Sequence, residues 1–300
     1  MVPGPRVLVV GPGSVGSLIT CALNASGVVP CVAYRSKPRS NLVRCPSGEV
    51  RELRAELIPL ESTSGSWDVV FVSTKAYDAM GVVDKLRYLD FGLAVFTQNG
   101  LGVLERAEEV LGADRVAQLV LNHGVYFDSS SGTYVWVGGG RSYLGMRRRF
   151  REELRVVAQL LKPLDVEVVE DVEPYRWVKL AVNACINPVT ALLRVPNGYL
   201  ARSGELEPII RGVVEEVRAV ASRLGVELPV DPVAEVLRVA ESTARNVSSM
   251  LSDVIACRRT EVDFINGAVV ELGRKLSVPT PYNEVLYRLV KSLEGVCGSV

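Results

Sequence analysis

The stretch KLAVNACIN, residues 179–187, sets Lys179, Asn183 and Asn187 four residues apart among Leu, Ala, Val, Cys and Ile. A lysine held in dry surroundings is a standard acid, base or carbonyl partner, and asparagines orient a polar ligand without adding charge. In a helix, positions i, i+4 and i+8 share one face, so the three side chains form a polar stripe. Such a stripe is the wet edge of a surface helix, a closed internal network, or the wall of a ligand cleft. Apolar neighbours on both sides argue against the first. The second requires a partner for every group, since each orphan costs about 1–3 kcal/mol. Ligand and water satisfy the third, which is therefore preferred.

A second constellation, Ser249 and Glu261, lies within NVSSMLSDVIACRRTEVDFINGAVVELGRKL, residues 246–275. In one straight helix the two would stand roughly 18 Å apart, too far to share a small ligand. The sequence argues for a break. Thr260-Glu-Val-Asp263 reads as a capping-box-like helix start, and Ser248 and Ser249 read as caps of a shorter helix before it. A reversal around Cys257 to Arg259 then brings Ser249 and Glu261 together. A glutamate in a first helical turn equally suits the helix dipole, so the residues alone leave the chemistry of Glu261 open.

The third set is an anion site. Gly11-x-Gly13-x-x-Gly16 follows a short apolar strand, Arg6 to Val10, and opens a helix that ends near Gly27. In that order Gly11 permits a tight turn, Gly13 lets the backbone approach a pyrophosphate, and Gly16 lets helix pack on strand. Pro12, Ser14 and Val15 complete the loop, and the helix N-terminus supplies N–H groups. The next strand, PCVAYR, ends on Tyr34-Arg35-Ser36-Lys37, where NAD-binding chains usually carry an acid. Guanidinium, hydroxyl and ammonium groups suit a 2′-phosphate instead, so NADPH is the expected cofactor and NADH the alternative. Buried strands in WDVVFVSTKAYD and LAVFTQNGLG place Thr74, Lys75, Gln98, Asn99 and Gly100 at carboxyl ends, where a doubly wound sheet takes its ligands.

The elements behind these residues fall into two classes. From Val116 the chain reads as two or three strands with a Ser/Gly turn, which finish the sheet antiparallel. The single histidine, His123, falls there and reads as a hydrogen-bonded structural residue. Beyond about Val172 strand signals stop and long helical patterns take over. The expected fold is therefore an α/β Rossmann-type dinucleotide-binding domain, residues 1–171, followed by an all-α domain, residues 172–300. Two domains imply a cleft between them.

Composition sets the outer bounds. With 48% apolar and 23% charged residues the chain is that of a globular protein with a substantial interior. Lys plus Arg (34) equals Asp plus Glu (34), so no net field draws nucleic acid or an anionic membrane. No apolar run reaches the length of a span, and MVPGPRVLVVG lacks a secretory core, which points to the cytoplasm. The six cysteines, 21, 31, 45, 185, 257 and 297, include no Cys-x-x-Cys, so neither a metal site nor disulfides are expected.

With these blocks in view the chain resembles the ketopantoate reductase (2-dehydropantoate 2-reductase) family, the NADPH-dependent enzymes of pantothenate and coenzyme A synthesis. The resemblance covers nearly the whole length. It rests on the glycine motif with its Arg-tipped second strand, on STKAYD, QNGLG and KLAVNACINPVTALLRVPNG, and on SSMLSDVIACRRTEVDFING. The last two blocks are specific, whereas the first is shared by many dehydrogenases. The resemblance implies hydride transfer to the C2 ketone of ketopantoate, with Lys179 and Glu261 as catalytic residues. It implies substrate contacts from Asn99, Asn183, Asn187, Asn197 and Ser249, and cofactor contacts from Gly11, Gly13, Gly16, Arg35 and Lys75. Arg194 stands where a neutral residue is expected, and VWVGGGRSYLG is unusually glycine-rich. Two rivals are a reductase of another 2-keto acid and a non-catalytic NADP(H) sensor, which retention of Lys179 and Glu261 disfavours. The expected partner is a small-molecule substrate, with a homodimer left open.

Overall fold

The computed structural model describes residues 4–147 and 149–296. It separates into two compact units. One runs to Gln98 and resumes at Val103–Val172; the other takes Asn99–Gly102 and the chain from Glu173 onward.

The first unit opens on β1 (Val7–Val10), whose four residues are all buried, as a parallel strand covered on both faces requires. After α1 (Ser14–Ala25) come β2 (Cys31–Tyr34), β3 (Leu42–Arg44), β4 (Val50–Glu52), β5 (Glu56–Pro59) and β6 (Ser66–Val72). Next are α2 (Ala76–Leu86), β7 (Asp90–Phe96), α3 (Val103–Leu111), β8 (Val116–Val120), β9 (His123–Asp128) and β10 (Thr133–Gly139). The unit closes with β11 (Ser142–Gly145), α4 (Glu153–Leu160) and β12 (Val166–Val168). The main sheet has the order β12-β11-β8-β7-β6-β1-β2-β5. From β5 to β8 all neighbours are parallel, and β11 pairs antiparallel with β8. The central strand lies between β2 and β6, with Val9 opposite both Val32 and Phe71. The chain therefore leaves β1 to one side and later returns to the other. That switch point is where loops diverge and ligands fit beyond the strand ends.

One expectation is corrected here. Of the strands between Val116 and Gly145, β8 and β11 belong to the main sheet, but β9 and β10 do not extend it. They form an antiparallel hairpin that joins β3 and β4 in a second sheet, ordered β4-β3-β10-β9. The reason lies in α1, where every residue from Gly16 to Leu23 is buried. A helix buried on all sides needs cover on more than the face it turns to one sheet. Tyr134 and Trp136 of the hairpin supply it, joining Leu18, Ile19 and Leu23 in one core. His123 is structural in this setting. Its Nδ1 accepts from Trp136 Nε1 at 3.1 Å, so the proton sits on Nε2, 3.0 Å from the Leu164 carbonyl.

The second unit consists of α5 (Glu173–Leu193), α6 (Tyr199–Arg202), α7 (Glu207–Arg223), α8 (Pro232–Ser242), α9 (Ser249–Ile255), α10 (Asn266–Leu276) and α11 (Pro281–Val296), with no strand among its described residues. The central helix is α5, against which α7, α8, α9 and α11 pack. Its Trp177, Leu180, Ala181, Ala184 and Cys185 are sealed from solvent. It starts with a buried Glu173–Arg176 ion pair, and Trp177 Nε1 donates to the same glutamate at 3.1 Å. Pro188 lies inside this helix and has no N–H to give the Ala184 carbonyl. The side-chain Nδ2 of Asn266 donates to that carbonyl at 3.0 Å.

Between α9 and α10 the helix breaks, as the Ser248 cap leads one to expect. Ser248 caps α9, accepting from Leu251 N–H, and Cys257 takes a left-handed φ of 48° after the helix ends. The capping box at Thr260 does not form, however, and α10 begins only at Asn266. Asp263 is one methylene shorter than the residue that reaches back in such a box. The Glu294 carboxylate accepts the Thr260 N–H and hydroxyl instead, at 2.7 and 2.6 Å, while Asp263 holds Arg259, Tyr287 and Lys291. Cys21, Cys31, Cys45, Cys185 and Cys257 are free thiols, and Cys297 lies outside the described residues.

Candidate active site

The glycine turn of the first unit is built by close approach. Gly11 has φ of 101°, and a Cβ on Gly16 would stand 1.9 Å from the Gly11 carbonyl oxygen, so neither position accepts a side chain. A Cβ on Gly13 would meet nothing within 4 Å, which leaves the space a ligand needs. Ser73 Oγ bonds to the Val10 and Gly11 carbonyls at 3.0 Å each, tying the turn to the end of β6. Tyr134 OH donates to the Pro12 carbonyl at 2.9 Å. Following Gly13, Ser14 and Val15 open α1, whose first turn has neither a side-chain cap nor an acidic residue. Its N–H groups and positive dipole end remain for an anion.

The other first-unit candidates divide by what already occupies them. Thr74 Oγ1 is buried with no partner, the state expected of a hydroxyl that completes its bonding with a ligand. Lys75 sits half-buried at the start of α2. Gln98 is engaged: its Nε2 donates to Val72 and Thr74 carbonyls at 2.9 Å each, and its Oε1 accepts from Thr97 N–H at 3.2 Å. It shapes the loop that carries Thr74. Arg35 is exposed and pairs with Asp78 at 3.0 Å. An exposed pair of this kind is worth about 0–1 kcal/mol, so a phosphate displaces it at little cost.

In the second unit, Lys179 and Asn183 are half-buried on successive turns of α5, and Asn187 is buried. Glu261, in the 260–265 turn, is buried, and its charge reaches Lys179 on this helix. Burial, the larger effect, pushes the Lys179 pKa down to about 8, and the Glu261 charge opposes that fall. An ammonium thus persists at neutral pH, but only narrowly. Asn99 Nδ2 donates to Glu261 Oε2 at 3.5 Å, a long contact that brings the QNGLG block to the same place. That block is fixed by Leu101 N–H, which donates to the Phe264 carbonyl at 2.9 Å. Gly100 there has φ of 83°, and a Cβ would stand 2.1 Å from the Phe264 oxygen.

The asparagines differ in what they offer. Asn183 Nδ2 is buried and unpartnered, a free donor on the stripe. Asn197 Nδ2 donates to Thr243 Oγ1 at 3.0 Å, while Thr243 passes its own proton to the Val239 carbonyl at 2.6 Å. The orientation of Asn197 is thereby set, leaving Oδ1 as a buried, unpartnered acceptor. Ser249 is the first residue of α9 and is exposed; its neighbour Ser248 is committed to the cap and bonds with Thr190 Oγ1 at 2.7 Å. Lys179, Asn183, Glu261 and Asn99 therefore form one group, whereas Asn197 and Ser249 make no bond to Lys179 or Glu261 among the described residues. Sequence reasoning assigns no individual role to Asn266 or Phe264. Pro188 was the available signal, since a proline inside a helix leaves a carbonyl in need of a donor.

Among the described residues no cluster of three or more His, Cys, Asp or Glu is arranged to hold a metal ion, and no helix is long and apolar enough to cross a membrane. The pattern of free donors, open backbone and a cation suits a dinucleotide and a small oxo acid. Two family models match the chain, described as "Ketopantoate reductase PanE/ApbA" over residues 7–149 and its "C terminal" counterpart over residues 171–294. A relative from Pyrobaculum aerophilum named 2-dehydropantoate 2-reductase is 42% identical over 97% of this chain and 99% of its own. Among solved structures, a ternary complex of D-mandelate dehydrogenase with NADH and anilino(oxo)acetate has a TM-score of 0.86 at 21% identity, covering 97% of this chain and 99% of the other. A dimeric ketopantoate reductase from Staphylococcus aureus has a TM-score of 0.82 at 21% identity, covering 98% and 100%. These two structures share the fold.

Proposed function

The chain belongs to the ketopantoate reductase family, and from that premise we propose that it reduces 2-dehydropantoate to D-pantoate with NADPH. The bound nicotinamide supplies the hydride. As that hydride reaches the C2 ketone, its oxygen gains negative charge, and the Lys179 ammonium stabilises the charge and then gives up a proton. The Glu261 carboxylate keeps Lys179 charged at neutral pH against the cost of burial. The free Asn183 Nδ2 suits an oxygen of the keto acid, and the free Asn197 Oδ1 suits the substrate hydroxyl. Asn99, Asn187 and Ser249 complete the substrate wall without adding charge that would oppose the carboxylate.

The observation that carries this reading is a lysine whose pKa burial lowers and the charge of a buried glutamate supports, on the helix that also presents an orphaned amide. Its test is nicotinamide oxidation, followed optically with 2-dehydropantoate and with other 2-keto acids. Preference for the branched hydroxy-keto acid supports the reading; equal turnover of an aromatic 2-keto acid favours the alternative reductase, and no turnover favours the sensor. NADPH over NADH rests on Arg35 and Lys37 and on the lack of an acid at the end of β2. We place the enzyme in the cytoplasm and propose a homodimer, supported by Tyr282, Val285, Leu289 and Val296, an exposed apolar stripe on α11.

A further inference from the structure

The helix that carries the polar stripe has a gap in its hydrogen-bond ladder beside the site. Pro188 cannot serve the Ala184 carbonyl, and Ala184 directly follows Asn183. The group that fills the gap comes from a residue 82 positions away, Asn266 Nδ2, at 3.0 Å. Asn266 is fully buried and is the first residue of α10.

Its orientation is set from behind. Nδ2 also donates to Asn283 Oδ1 at 3.0 Å, so the amide cannot be reversed without losing both bonds. Asn283 is fixed in turn, donating its own Nδ2 to Glu216 Oε2 at 2.8 Å and to the Val213 carbonyl at 3.2 Å. Glu216 also accepts the backbone N–H groups of Tyr282 and Asn283 at 2.8 and 2.9 Å, the free donors of the first turn of α11. The chain from Glu216 through Asn283 to Asn266 is thus a buried, directional relay that ends on α5.

On its other side Asn266 continues the turn that holds Glu261. Phe264 and Ile265 N–H groups donate to the Glu261 carbonyl at 3.0 and 3.2 Å, and Gly267 N–H donates to the Val262 carbonyl at 2.9 Å. The same turn takes Leu101 N–H through Phe264 and so holds the Asn99 segment. We infer that Asn266 is a positioning residue for the reduction: by bonding to the carbonyl that Pro188 leaves open, it sets the Glu261 turn and the Asn99 segment against the Lys179–Asn183 face of α5. The pairing explains why a proline can stand inside a central helix next to the site. The missing ladder bond is used as a joint.

The inference rests on Lys179 as proton donor and Glu261 as the carboxylate that sustains its charge. The test is made on the full chain with three readouts: kcat and KM for 2-dehydropantoate against pH, NADPH affinity, and Tm. In Asn266→Leu the amide is replaced at nearly equal volume. Displacement of Glu261 should lower kcat by ~10- to 100-fold, in keeping with the cost of misplacing a reacting group by about 1 Å. NADPH affinity should hold, and the pH at which kcat/KM begins to fall should move down as Lys179 loses its neighbouring charge. Pro188→Ala offers the helix its own donor and competes for the same carbonyl, so it should shift the pH limit in the same direction by less. A lower Tm with kcat and pH limit unchanged in Asn266→Leu would overturn the inference and leave Asn266 a structural residue. Should Asn266→Leu not fold, an unchanged pH limit in Pro188→Ala overturns it, and a downward shift supports it. A wild type with no high-pH loss at all overturns the proton-donor reading itself, and this inference with it.

Discussion

The two units build their candidate sites in opposite ways. In the first, the proposed anion site is six consecutive residues, Gly11 to Gly16, whose glycines at 11 and 16 leave no room for a side chain. In the second, the group around Lys179 comes from segments as far apart as Asn99 and Glu261, 162 positions distant, and is made of side chains held by hydrogen bonds. The backbone site is short-range and tolerates no added atoms at Gly11 or Gly16. The side-chain site is long-range and depends on joints such as Leu101–Phe264 and Ala184–Asn266.

The sharpest way to separate the two is to remove one charge from the second. Lys179→Ala should lower kcat by roughly 10²–10⁴-fold, the usual worth of a positioned acid, while NADPH affinity holds. Because the lost interaction forms mainly in the transition state, kcat and kcat/KM should fall together. Retained kcat with a raised KM would recast Lys179 as a carboxylate anchor. A smaller effect belongs to the first unit. Gly16→Ala forces a Cβ against the Gly11 carbonyl, and overpacking of this kind costs about 1–3 kcal/mol. Thermal unfolding should register that loss, and calorimetry should show weakened NADPH binding. An unaltered Tm would show that the turn has room the geometry denies.

This contrast also marks what could be read from the sequence. The glycine turn was legible because strand, turn and helix are contiguous, and Gly11 and Gly16 answer to a local steric need. The stripe on α5 was legible because helical periodicity alone aligns Lys179, Asn183 and Asn187. The helix break before Glu261 followed from the Ser248 cap, and Cys257 in the left-handed region lies within it. Features set by distant partners were not legible. Whether β9 and β10 extend one sheet or join β3 depends on how α1 is covered, and the Thr260 capping box failed because Glu294 claims its donor. The role of Asn266 needs the position of Pro188 and the fold of α10 together.

The smallest expected effect is again on the first unit. Arg35→Ala removes an exposed group that pairs with Asp78. The ratio of kcat/KM for NADPH over NADH should fall by about 1 kcal/mol, roughly five- to tenfold. Steady-state kinetics with both cofactors checks it, and an unchanged ratio would remove the 2′-phosphate role from Arg35.

The central claim, that Lys179 is an ammonium only narrowly maintained beside Glu261, is tested most directly by the pH dependence of kcat/KM for 2-dehydropantoate in the wild type. On the proposed mechanism the lysine carries, below about pH 8, the proton that the reduction consumes, and above it the proton is lost. The rate constant should be level on the acid side of that point and fall by ~tenfold per pH unit beyond it. Stability should move the other way. Between about 8 and 10.5 the folded chain has released a proton that the unfolded chain retains, so the contribution of Lys179 to stability rises with pH. Loss of kcat/KM above about pH 8 in a chain that stays folded is the predicted result. A level profile continuing toward the ordinary lysine value of 10.5 would contradict the account.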